Sequence, residues 1–332
     1  MLKDIDLEGG RAYDIKIEYQ ENANANAQMR LVWSAPSAQD ALRTDAIEKA
    51  KQADAVVMVM GISPRVEGEE MDVKLDGFRG GDRTDLGLPQ PQQQLIKSIH
   101  ALGKPLVLVT MSGSALALNW ENENIPAILH AWYPGQFGGT AIAETLFGDY
   151  NPAGRLPVTF YRSADQLPPF DDYKMEGRTY RYFHGEPLYP FGYGLSYSRF
   201  EYSSLQLPAT TAVGADVNLS ATVKNAGRVA GDEVVQVYVT LKSASGPAPI
   251  RSLVGTQRIR LNPGEARIVR FKIAARLLSQ VLPNGERVLE PGDITFSVGG
   301  EQPGFSGTAD ATTTMSISRD LKLAGKKITL PE

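Results

Sequence analysis

Residues 53–85 read ADAVVMVMGISPRVEGEEMDVKLDGFRGGDRTD. The run opens as a continuous apolar stretch bounded by Gly61, which is the pattern of a strand covered on both faces. It then turns abruptly polar, with Glu67, Glu69 and Glu70 inside four positions. A buried strand followed at once by an acidic loop has two readings. The loop is a solvated connection, or it sits at the carboxyl end of a parallel strand, where open α/β sheets build their sites.

The flanking sequence supports a parallel layer. A segment with helical spacing, DALRTDAIEKAKQAD, precedes the strand and carries a candidate Asp cap. After the acidic loop come a helix, QPQQQLIKSIHALG, closed by Gly103, and then a second apolar strand, PLVLVTMSG. A third strand, IPAILHAWYPG, and a helix, GGTAIAETLFGD, follow. Strand and helix alternate, so residues 40–165 are expected to form a parallel α/β sandwich. Residues 166–204 lose that rhythm and are rich in Pro, Gly and Tyr, the composition of a connecting segment anchored by its aromatic rings. Six rings (Tyr180, Tyr182, Phe183, Tyr189, Phe191 and Tyr193) are expected to pack across the neighbouring domains, since that many exposed rings would be an aggregation liability. From residue 205 to 332 short alternating segments such as DEVVQVYVTL and RIVRFKIAA are separated by NPGE, PNGE and EPGD turns. This is the signature of a β-sandwich of fibronectin or immunoglobulin type. At the other end, YDIKIEYQE and AQMRLVWSAP read as two strands, too few to stand alone.

The chain is therefore multidomain, α/β plus all-β, and its 332 residues are enough for two or three cores. A net charge of −4 gives no reason to expect nucleic acid or an anionic membrane as partner. No stretch reaches the roughly 18 apolar residues of a membrane span, and MLKDIDLEGG lacks the apolar centre of a signal peptide. The absence of cysteine excludes disulfides, thiol catalysis and zinc–thiolate sites. With His100, His130 and His184 as the only histidines, neither a histidine-rich metal site nor a Ser–His–Asp triad is expected.

Among the motifs, WYPGQFGGTAIAETLFG has the strand, glycine turn and helix of a phosphate cradle but not the G-x-G-x-x-G spacing. MSGSALAL is not a nucleophile elbow. GGDR (residues 80–83) reads as a turn with a local ion pair, or as an element that shapes the acidic loop. Trp132, at the carboxyl end of a strand, is a candidate sugar-stacking residue or a core ring. Glycoside cleavage uses two carboxyls, and the acidic loop has the means to supply one.

The stretches VEGEEMD, GGDRTDLGLPQPQQQLI, KPLVLVTMSGSALAL, AWYPGQFGGTAIAETLFGDYNPAGRLPVTFY, GRTYRYF and YPFGYGLSYSRFEYS, in that order, resemble the C-terminal portion of glycoside hydrolase family 3, of β-glucosidase/β-xylosidase type. GDEVVQVYV and LNPGE resemble that family's fibronectin type III-like domain, and residues 1–39 resemble the tail of a protective-antigen-type β-sandwich insert. The resemblance implies a retaining, exo-acting β-glycosidase acting on oligosaccharides or on aryl and alkyl β-glycosides, without metal or organic cofactor. It implies a general acid/base on the acidic loop and a nucleophilic Asp on a (β/α) barrel domain. No barrel repeat and no Ser-Asp-Trp nucleophile motif are present in this sequence, so the chain reads as the later part of a longer enzyme, inactive alone and periplasmic or secreted as the full-length parent. The family's x-E-x-E-G-x-D pattern falls on residues 66–72, with Glu70 where glycine is common. Glu69 is thereby the favoured acid/base and Glu67 the second candidate, with Asp82, Arg83 and Trp132 as candidate substrate-binding residues. The rival reading is a non-catalytic carbohydrate-binding or scaffold fragment.

Overall fold

A computed structural model describes residues 7–8, 10–18, 20, 38–73, 75–305 and 316–331. The chain divides into two compact units, Met1–Lys49 and Ala50–Glu332. In the first, the described residues of the expected strand YDIKIEYQE (13–18 and 20) belong to no strand, and Ile15 and Ile17 are exposed. This corrects the sequence reading. Alternation of apolar and polar residues makes a strand only where a ladder partner satisfies its backbone groups. The second expected strand, AQMRLVWSAP, lies outside the described residues. Helix α1 spans Ala38–Gln52 and carries Asp40 in its first turn, where a carboxylate complements the helix dipole.

Strands β1 (Val56–Gly61), β4 (Leu106–Met111) and β5 (Ala127–His130) form a three-stranded sheet in that order. Both pairings are parallel, in the registers Val56↔Leu106 and Leu108↔Ile128. Between β1 and β4 lie a short hairpin of β2 (Phe78–Arg79) and β3 (Asp82–Arg83) and helix α2 (Gln90–His100). Helix α3 (Asn119–Asn124) connects β4 to β5, and α4 (Gly138–Phe147) follows. Leu106, Leu108, Val109, Met58, Ile96 and Ile99 are buried together with Leu116 and Leu118. Ile96 and Ile99 are three residues apart and so share one face of α2. Because all three strands point the same way, Gly61, Met111 and His130 end at one edge of the sheet, and the loops that follow them gather there.

The connecting segment holds a one-turn helix, α5 (Thr179–Tyr182), and an isolated antiparallel bridge, Phe160↔Tyr189. Tyr180 stacks on Phe191 at 4.2 Å, and Tyr189 on Tyr193 at 5.3 Å. The Tyr180 hydroxyl also accepts from the Leu253 amide (3.1 Å), which ties the segment to the sandwich. All six rings named above are buried or half-buried.

The sandwich begins at β6 (Phe200–Gln206), five residues before the expected boundary. Phe200 is fully buried and faces Asn225 across the ladder, so the alternation starts there; the Tyr- and Ser-rich lead-in masked it. Strands β7 (Thr210–Ala212), β8 (Val217–Asn225), β9 (Gly231–Leu241), β10 (Ser252–Leu261) and β11 (Ala266–Ile273) follow. Next come β12 (Gln280–Val281), β13 (Arg287–Leu289), β14 (Gly292–Gly299), β15 (Ser316–Ala324) and β16 (Ile328–Leu330). One sheet has the order β10-β9-β14-β15-β7 and the facing one β11-β8-β6. Val235, Val237, Phe296, Val298, Leu219 and Val223 fill the space between them.

Arg155, which precedes the connecting segment, and Gly192 within it meet this sandwich in a buried polar cluster. Arg155 pairs with Glu233 at 2.8 Å, with both side chains almost wholly out of water, and donates through Nε to the Gly300 carbonyl. Tyr202 donates to the other oxygen of Glu233 (2.6 Å), and Gln236 bridges the carbonyls of Gly192 and Gly300.

Candidate functional site

The acidic loop leaves β1 at Gly61, a position where glycine is obligatory. Its φ is +146°, and a Cβ there would lie 1.8 Å from the Met111 carbonyl oxygen. Gln92 of α2 clamps the same residue, donating to its carbonyl (2.7 Å) and accepting from its amide (2.8 Å). The loop then folds against the β2–β3 hairpin, where the Met71 amide donates to the Gly80 carbonyl (2.8 Å). At Gly81 (φ +91°) a Cβ would meet the Gly68 carbonyl oxygen at 1.6 Å, so the GG of GGDR lets the hairpin lie directly on the acidic loop.

Glu67, on the loop after β1, is held by the turns after the other two strands. Its carboxylate accepts from the Gly113 amide (3.0 Å) and the Ser114 hydroxyl, both beyond β4, and from the Tyr133 hydroxyl (2.8 Å), beyond β5. Burial acts to raise its pKa, but these hydrogen bonds and the nearby Arg83 charge outweigh it and hold the carboxyl below its usual range. The reciprocal effect falls on Tyr133, whose phenol is pushed up to about 12 by burial and by the hydrogen bond and charge of Glu67. Glu67 is thus a fixed, ionised acceptor.

Glu69, two residues on, is exposed and makes no hydrogen bond or ion pair among the described residues. It lines an open groove with Glu67, Asp82, Arg83, Ser114, Val158, Tyr161 and Leu167. Asp82 is exposed in the hairpin, opposite Arg79. The Arg83 guanidinium is not paired with it. Its Nη1 donates to Ser114 Oγ (3.0 Å) and the Ala115 carbonyl (2.7 Å), and its Nη2 to the Gly87 carbonyl (3.1 Å), so most of its terminal donors are spent on the protein. Trp132 does not line the groove. With φ at +53° it turns back and packs edge-on to His130 (4.4 Å) and Phe160 (6.0 Å), while Tyr133 is delivered to Glu67.

Glu67, Glu69, Asp82 and Arg83 are therefore brought together and Trp132 stands apart. The sequence reading overlooked Gly113, Ser114 and Tyr133. The signal for them was their position, since MSGS and AWY both follow apolar strands and parallel strands deliver such positions to one edge. Among the described residues, the acidic groups lining the groove belong to one loop and its hairpin, so they form one wall, and no carboxyl lines the groove from another element.

The chain matches the Glycosyl hydrolase family 3 C-terminal domain over residues 7–197 and the Fibronectin type III-like domain over residues 233–302. It is 43% identical over 272 residues to a xylan 1,4-β-xylosidase of Xylanibacter ruminicola, covering 82% of this chain and 31% of that protein. It is 39% identical to a periplasmic β-glucosidase of Salmonella typhimurium, covering 80% and 35%. Among solved structures, a β-glucosidase from Erythrobacter marinus superposes with a TM-score of 0.75 at 34% identity, over 91% of this chain and 38% of that one. The chain spans about a third of the length of the curated relatives it matches.

Proposed function

The chain belongs to glycoside hydrolase family 3, and from that premise we propose that it supplies the general acid/base of a retaining, exo-acting β-glycosidase of β-glucosidase or β-xylosidase type. Glu69 is the acid/base. The nucleophile comes from a (β/α) barrel domain outside these residues, and the substrate is an oligosaccharide or an aryl or alkyl β-glycoside.

The observation that carries this reading is the division of labour between two neighbouring carboxyls. A group that must give up a proton and take one back has to be free to reach the glycosidic oxygen. Glu67 is not free, because three donors hold it as a carboxylate. Glu69 is free, and the loop that carries it is pinned by Glu67 before it and, after it, by the Met71 amide on the Gly80 carbonyl of the hairpin. In the first step Glu69 protonates the oxygen of the departing group while the nucleophile bonds to the anomeric carbon. In the second it removes a proton from water, which attacks that carbon and releases the nucleophile. A retaining pair stands roughly 5–5.5 Å apart across the scissile bond. The one-sided groove is consistent with a second carboxyl that arrives from elsewhere.

The test uses the enzyme with its barrel half present. Glu69→Ala should cost about 10²–10⁴-fold in turnover of glycosides with poor leaving groups and much less with dinitrophenyl glycosides, which need little protonation. Azide should partly restore turnover of the latter. If Glu67→Ala shows that pattern and Glu69→Ala does not, the acid/base moves two residues back. The 332-residue chain alone should leave nitrophenyl β-glucosides and β-xylosides uncleaved.

A further inference from the structure

The turn that brings Tyr133 to Glu67 begins at a buried histidine ring that the acid/base role does not use. β5 ends at His130, in register with Thr110 of β4, and the Ala131 amide donates to the Thr110 carbonyl (2.8 Å). The next residue, Trp132, has a φ of +53°, a setting costly for a bulky L-residue and kept only where the surroundings impose it. Those surroundings are two rings. His130 stands nearly perpendicular to Trp132 at 4.4 Å, and Phe160 nearly perpendicular to both, 5.2 Å from His130 and 6.0 Å from Trp132. Phe160 is fully buried and is itself fixed by its bridge to Tyr189. Beyond the turn, the Tyr133 ring lies close over the turn after β4. A Cβ on Gly113 would meet Tyr133 Cε2 at 3.0 Å and Glu67 Oε2 at 3.1 Å. A changed backbone at residue 132 would therefore carry the phenol off the carboxylate.

Hydrogen bonding orients the His130 ring and selects its tautomer. Nδ1 lies 2.9 Å from the Thr110 hydroxyl, and Nε2 is buried without a hydrogen-bond partner among the described residues. Thr110 is fully buried, and its hydroxyl makes no other hydrogen bond among the described residues. A proton on Nδ1 would leave both the hydroxyl hydrogen and the Nε2 lone pair unmatched. With the proton on Nε2, the hydroxyl donates to Nδ1, and the N–H is left to the neighbouring aromatic rings, which accept it weakly. Burial also pushes the imidazole down to about 4, so the ring is neutral near pH 7. We propose that His130 is a positioning residue for the acidic loop: held in its Nε2–H form by Thr110 and seated against Trp132 and Phe160, it keeps the turn after β5 in the setting that bonds Tyr133 to Glu67. The proposal rests on the reading that this loop carries the acid/base. His130 does not line the groove, so its effect on the chemistry passes through Tyr133 and Glu67.

On the chain alone, the ring nitrogen resonances of His130, identified by their loss in His130→Ala, should show a neutral imidazole protonated on Nε2 at pH 7. A proton on Nδ1, or an imidazolium, overturns the proposal. The Cζ resonance of Tyr133, identified by its loss in Tyr133→Phe, should move in His130→Ala towards that of a tyrosine in water. An unmoved resonance overturns the proposal, because a ring that served only packing would leave the phenol on Glu67. If His130→Ala does not fold, Thr110→Val takes its place and should move the same resonance in the same direction. In the enzyme with its barrel half, His130→Ala and Tyr133→Phe should each lower kcat/KM about ten- to a hundredfold, the range for losing a hydrogen bond to a charged group. The double variant should lose no more than the worse single one, since both act on one bond, and losses that multiply refute the proposal. The resonances are read without turnover, so a fully active Glu69→Ala enzyme would defeat the acid/base assignment separately.

Discussion

Glu301 is a buried carboxyl outside the proposed chemistry, and its replacement by glutamine tests the buried polar cluster that joins Arg155 to the sandwich. It follows Gly300, whose carbonyl accepts from both Arg155 and Gln236, and its side chain is 7% exposed. The groups that act on it are Arg155, which favours its ionised form, and Glu233, which opposes it; Tyr202 and Tyr238 feel its charge in turn. Arg155 is already paired with Glu233, so an ionised Glu301 would set a second carboxylate against one guanidinium in a dry site. Burial is the largest influence, and it lifts the carboxyl from 4.5 to about 7.

A folded-state pKa above the unfolded value means that the folded chain binds more protons between pH 4.5 and about 7. Stability is therefore greatest below that window, declines as pH rises through it and levels off above. At 1.36 kcal/mol per pKa unit, the loss by pH 8 is about 3 kcal/mol. Glu301→Gln keeps the shape and removes the charge. In urea unfolding it should match the native chain at pH 4.5 and exceed it by about 3 kcal/mol at pH 8. Taking the difference between the two proteins removes the contributions of the titrating groups that do not feel Glu301; Glu233, whose charge opposes that of Glu301, is relieved of it in the variant, which adds to the gain in the same direction. A difference that is constant from pH 4.5 to 8, or a variant less stable at pH 8, would refute the reasoning.

Two further predictions concern the acidic loop. Glu67→Gln in this chain should bring the ionisation of Tyr133 down from about 12 towards that of an ordinary phenol, because the negative charge that opposes the phenolate is gone; a spectrophotometric tyrosine titration that does not move would show that the hydroxyl is not bonded to Glu67. Gly81→Ala places a Cβ against the Gly68 carbonyl at a φ that L-residues avoid, so the hairpin should lift off the loop and open residues 62–87 to limited proteolysis while the sandwich stays folded. Cleavage kinetics like those of the native chain would remove the hairpin from the argument.

How much of this was legible in the sequence depended on whether the deciding interaction was local. The three parallel strands were, because AVVMVMG, PLVLVTMSG and IPAILHA are apolar runs bounded by turn residues, and helical spacing lies between the first two. The chain order also identified the loop that carries Glu69. Alternation misled at residues 13–18, which belong to no strand among the described residues. It also missed the start of β6, where Phe200 pairs across the ladder with Asn225, 25 positions away.

The division between Glu67 and Glu69 is the part no local pattern could show. The two residues have the same chemistry and stand two positions apart, and what separates them is contributed by Gly113, Ser114 and Tyr133, 46 to 66 residues downstream. Parallel topology supplies those partners, because it delivers the ends of β1, β4 and β5 to one edge and makes the turns after the second and third strands into walls for the loop after the first. Anchoring one carboxylate then has a mechanical consequence for the other. A loop this rich in glycine would pay a large entropic cost to hold a free Glu69 in one place. Glu67, fastened at three points, and the Met71 amide, bonded to the Gly80 carbonyl, fix the backbone on either side of it, so that Glu69 presents a free side chain on a fixed support. That combination suits a group that must reach one oxygen to protonate it and one water to deprotonate it from a single position.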